Sequence, residues 1–76
     1  MAEISETKHE RFKRIAEART NKILNMIELL GNCANTHNYE YTAEDVRKIT
    51  KAIEQEVQLM KNKFAQNLQK NKGFKL

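Results

Sequence analysis

Apolar residues recur every three or four positions along two long stretches of this chain, and strict alternation is found nowhere. In the first stretch they are Phe12, Ile15 with Ala16, Ile23, Met26 with Ile27, and Leu30. In the second they are Val46, Ile49, Ile53, Val57, Met60, Phe64 and Leu68. That spacing puts each set on one side of an α-helix and rules out a half-buried strand. The expected fold class is all-α. The first helix is predicted over about 6–30. Thr7 with Glu10 three residues on has the form of a capping box, and Ser5 is a competing start. Gly31 and Asn32 supply a stop, since either accepts the left-handed conformation that ends helices. The second helix is predicted over about 43–70. Thr42 is its N-cap, Asp45 stands at the capping-box distance, and Glu44 and Asp45 oppose the positive end of the helix dipole. Residues 72–76 are expected to fray.

Residues 31–41 between them, GNCANTHNYEY, form a loop longer than the 2–8 residues usual between bundle helices. No internal repeat or low-complexity tract is evident. Two helices of similar length with one connection predict an antiparallel hairpin, a single domain over 1–76. A hairpin leaves part of each stripe wet, and a chain of 76 residues has little core to spare. Two hairpins paired as a four-helix bundle cover the rest. A homo-oligomer, a dimer first, is therefore expected, with a monomer covered by another protein as the alternative. Arg19 falls inside the first stripe, so it needs an acidic partner such as Glu54 or Glu56, or must snorkel to water.

One cysteine, Cys33, cannot form an internal disulfide, which argues against a stapled secreted scaffold. No apolar run reaches the roughly 18–20 residues that span a bilayer. The start, MAEISETKHE, has no apolar core of a secretory signal. A cytoplasmic setting without membrane contact is expected.

Charge is unevenly placed within a formal total of +4. Residues 8–22 carry Lys8, Arg11, Lys13, Arg14, Arg19 and Lys22 against Glu10 and Glu17, and residues 61–76 carry five lysines and no acid. An antiparallel hairpin brings these segments to its open end as a basic pole. Such a pole attracts phosphate backbones or acidic proteins. Lysines at a helix C-terminus also suit the dipole and aid solubility. That does not account for Arg11, Lys13 and Arg14 in the first turns, where cations are unfavourable. The candidate nucleic-acid contacts are Lys8, Arg11, Lys13, Arg14, Lys61, Lys63, Lys70 and Lys72. Phe12 and Phe64 lie on the stripes and are not base-stacking platforms. No zinc-finger spacing, phosphate loop or helix-turn-helix is present, so contact with DNA or RNA would be to the backbone.

Asn35, His37, Asn38, Tyr39 and Tyr41 form an alternative recognition loop, with large rings and adaptable amides. The same residue types also make turns for purely local reasons. Cys33 and His37 alone are too few for a structural metal site, and no cofactor is expected. No catalytic set can be assembled from one Cys and two His, and an enzyme is not expected.

The segments RFKRIAEARTNKIL and IELLGNCANTHNYEYTAEDVRKITKAIEQEV resemble a group of short helical proteins encoded by phages and conjugative elements of Gram-positive bacteria. The likeness rests on Leu30-Gly31-Asn32, Asn35, Asn38-Tyr39-Glu40-Tyr41-Thr42, Asp45-Val46, Ile49 and Ala52-Ile53-Glu54. It covers most of the chain. It implies a bacterial host cytoplasm and an accessory role in a mobile element, and it implies no reaction. The expectation is a non-enzymatic, self-associating accessory protein that binds an anionic macromolecule, nucleic acid first, through its basic pole. The competing expectations are an inhibitor that captures a host protein or small nucleotide signal through the polar loop, and a purely structural self-assembling protein.

Overall fold

A computed structural model describes residues 5–70, with side chains through Leu68. Among the described residues the chain is all-helical and contains no strand. It divides into two units, Met1–Glu40 and Tyr41–Leu76, each described in turn.

The first unit holds helix α1, Lys8–Gly31, and a 3-10 turn, Asn32–Ala34. Thr7 is the N-cap in extended backbone and makes the expected capping box. Its hydroxyl accepts from the Glu10 amide at 3.0 Å, and its own amide donates to Glu10 Oε1 at 2.9 Å. Two of the four orphan amides at the helix start are thus satisfied locally. Glu6, expected inside the helix, lies just before the cap.

The far end of α1 differs from expectation. Gly31 is right-handed helical at φ −60°, ψ −29°, and Asn32 likewise at φ −67°, ψ −17°. The helix runs through both and tightens into the 3-10 turn. The Asn32 amide reaches the carbonyls of Glu28, Leu29 and Leu30, which satisfies the chain end without a left-handed residue. The stop is Asn35, extended at ψ 106°.

The second unit is helix α2, Ala43–Lys70. Thr42 and Asp45 form the second reciprocal box: the Asp45 amide donates to the Thr42 hydroxyl at 3.0 Å, and the Thr42 amide to Asp45 Oδ2 at 2.9 Å. One turn in, Arg47 pairs with Glu44. The predicted frayed tail, 72–76, lies outside the described residues.

Both stripes follow the same rule. Phe12, Ile15, Arg19, Ile23, Met26 and Leu30 are spaced 3, 4, 4, 3 and 4 apart, and Val46 to Leu68 are spaced 3, 4, 4, 3, 4 and 4. Eleven residues per three turns nearly matches the natural pitch, so each stripe runs almost straight along its helix. Among the described residues no side chain is buried. Only Glu6, Ile15, Ala16 and Ile53 are half-buried. Apart from Ile15 and Ile53, the large apolar side chains described keep 39% (Leu30) to 68% (Leu68) of their surface exposed. Opposite its stripe, the second half of α2 presents a row of amides, Gln55, Gln58, Asn62 and Gln66, in which Gln58 Nε2 donates to Asn62 Oδ1 at 3.0 Å.

Candidate nucleic-acid interface

Lys8 and Arg11 stand in the first turn of α1, where the dipole disfavours cations, and four more follow within three turns, so their surroundings are informative. At 100° per residue, Lys8, Arg11, Arg19 and Lys22 share one arc of α1, in two i,i+3 pairs repeated eleven residues apart. Lys13 and Arg14 project from other sides. Glu6 bends back onto the helix. Arg14 Nε donates to Glu6 Oε2 at 2.6 Å and Arg14 Nη2 to Glu6 Oε1 at 3.0 Å, a bidentate clamp. Arg11 Nε stands 3.9 Å from the same carboxylate. The Arg14 hydrogen bonds hold the Glu6 carboxyl below the usual carboxylate range, and Glu6 raises Arg14 in return. Lys8, Lys13, Arg19 and Lys22 are exposed and form no ion pair with a described residue.

The expected contacts therefore fall into two groups on this helix. Lys8 and Lys13 are open to an anion. Arg11 and Arg14 already answer to Glu6. Arg19 and Lys22 did not stand among the expected contacts. Their signal was the eleven-residue repeat of Lys8 and Arg11. Arg19, which the sequence required to pair or snorkel, is solvent-exposed within its unit.

On α2, Lys61 and Lys63 are both exposed, but they lie about 200° apart, on opposite flanks of the apolar stripe. The outer face between them belongs to the amide row. Lys70 ends the helix, beyond the described side chains, and Lys72 lies outside the described residues.

The polar loop is organised by Asn35. Its Oδ1 accepts from the His37 amide at 2.9 Å, and its carbonyl accepts from the amides of Asn38 at 3.2 Å and Tyr39 at 3.0 Å. This is an Asx-turn inside an α-turn, so Asn35 works as a turn former. Tyr39 and Tyr41 are exposed, at 53% and 41%, and His37 and Asn38 lie at the surface beside them. Cys33 is an exposed free thiol whose Sγ lies 4.0 Å from the Leu29 carbonyl. Among the described residues no group of three or more His, Cys, Asp or Glu is placed to hold a metal ion, and no helix is long and apolar enough to cross a membrane. No family model, curated protein or solved structure matches the chain.

Proposed function

We propose that this chain is a non-enzymatic, homo-oligomeric accessory protein of a phage or mobile element in a bacterial cytoplasm. It binds the phosphate backbone of nucleic acid through the cations of α1, aided by the lysines of α2. The observation that carries this reading is the set Lys8, Lys13 and Lys22: exposed, without a carboxylate partner among the described residues, and not among the residues of the apolar stripe that the oligomer would cover. Each one that meets a phosphate releases condensed counterions, which gives affinity without sequence preference. The likeness of RFKRIAEARTNKIL and the central segment to proteins of mobile elements supports the setting.

The architecture belongs to the same proposal. It is an antiparallel hairpin of α1 and α2, whose open end would gather the cations of 8–22 and 61–76. Two hairpins in a four-helix bundle cover the apolar surface that remains.

The test is fluorescence anisotropy with duplex DNA and with single-stranded RNA across a salt series, on the parent chain and on Lys8→Glu/Lys13→Glu/Lys22→Glu. The triple variant loses binding and keeps its helix content. Unchanged binding at physiological salt overturns the proposal. Loss of a partner interaction on Tyr39→Ala, with the triple variant unaffected, assigns recognition to the loop instead.

A further inference from the structure

We infer that the apolar stripe of α2 is a self-complementary face on which α2 of a second copy lies antiparallel, with the twofold axis beside Val57. This rests on the homo-oligomer reading above and adds to it the face, the direction and the register. A bundle gives each helix two neighbours, so the face is compatible with a hairpin.

The spacing is the first ground. Counted from Val57, the stripe has Val46 eleven residues before and Leu68 eleven residues after. Ile53 and Met60 stand four before and three after, and Ile49 and Phe64 eight before and seven after. An antiparallel copy therefore sets Val57 beside Val57, Ile53 beside Met60, Ile49 beside Phe64 and Val46 beside Leu68. The one-residue offsets of the inner layers let side chains interdigitate rather than collide. A stripe that drifts little around its helix keeps this contact over about 33 Å.

Charge is the second ground, and it chooses the direction. In antiparallel pairs the same flank of each helix meets. Glu54 and Lys61 lie on one flank, three before and four after Val57, so each meets the other in the second copy. Glu44 and Asp45 begin α2, but Arg47, Lys48 and Lys51 follow at once, so the direction rests on the flank residues near Val57 rather than on the helix ends. Antiparallel copies oppose their dipoles, whereas parallel copies turn Glu54 toward Glu56 and Lys61 toward Lys63. The one like-charge meeting is Glu56 with Glu56, near the axis on the other flank.

Cysteine cross-linking on the full chain in a Cys33→Ser background tests this. Under a mild thiol oxidant, Val57→Cys forms a covalent dimer with itself. Val46→Cys does not, yet cross-links when mixed with Leu68→Cys. Self-cross-linking of Val46→Cys overturns the direction. A Val57→Cys chain that stays single while the parent has dimer mass by light scattering overturns the face and leaves the homo-oligomer standing. A parent of monomer mass overturns both. A second arm leaves the stripe intact: Glu54→Lys weakens dimerisation roughly three- to tenfold, and adding Lys61→Glu restores it. Failure to restore overturns the register.

Discussion

Replacing Glu6 with Gln strengthens nucleic-acid binding, although the residue carries the wrong charge for a contact and lies before the first helix. Glu6 accepts two hydrogen bonds from Arg14, at 2.6 and 3.0 Å, and stands 3.9 Å from Arg11. A guanidinium held this way exchanges one anion for another on reaching a phosphate, and the net gain is small. Gln keeps the shape and removes the charge. Arg14 is then freed fully and Arg11 in part. On duplex DNA each neutralised phosphate adds about 0.9 to the slope of log K against log salt. One or two freed guanidiniums therefore steepen the slope by about 0.9 to 1.8. Taken from 1 M salt, where this contribution vanishes, the gain at about 0.15 M is about fivefold for each. The assay is anisotropy of a labelled duplex across about 50 to 300 mM salt, with circular dichroism to confirm equal helix content. An unchanged slope, or weaker binding by Glu6→Gln, refutes the idea that Glu6 competes with phosphate.

Thr42→Ala removes the acceptor of the Asp45 amide and costs about 1 kcal/mol, while Thr42→Ser keeps nearly all of it; urea unfolding followed by helix signal measures both. The Glu6 carboxyl is held down by Arg14, so its folded value lies below its unfolded one. The pair's stabilising contribution is complete above the unfolded value and fades as pH falls through the folded one. Carboxyl titration by NMR should show a lower midpoint for Glu6 in the parent than in Arg14→Gln, and equal midpoints count against the clamp. Asn35→Ala takes the acceptor from the His37 amide but leaves that amide exposed to water, so the loss stays below about 1.5 kcal/mol. Nucleic-acid binding is unchanged by it, and a marked fall in anisotropy would move the site to the loop.

The helices were legible because their signals are local. Thr7 with Glu10 and Thr42 with Asp45 lie three residues apart, and no distant packing is needed for a side chain to reach its own cap. α2 begins where the apolar period and the Thr42 cap put it. Gly31 and Asn32 misled because tolerance of the left-handed conformation is not a demand for it; Asn32 found three carbonyls by tightening the turn instead. The Glu6–Arg14 clamp was hidden for a different reason. It joins a residue before the cap to one two turns inside, and helical spacing alone relates only residues within the helix. Arg19 shows the limit in the other direction. A cation in an apolar stripe announces that a partner is needed, but the partner's identity depends on which surface covers the stripe.

The amide row on α2 has a practical consequence. Gln55, Gln58, Asn62 and Gln66 neither titrate nor attract counterions, so that exterior strip is indifferent to acidity and ionic strength. Whatever in this molecule's behaviour responds to those two variables must originate elsewhere, on α1, in the loop, on the rest of α2 or at the chain ends. A probe attached at Gln66 would thus serve as an internal blank against which those responses are read.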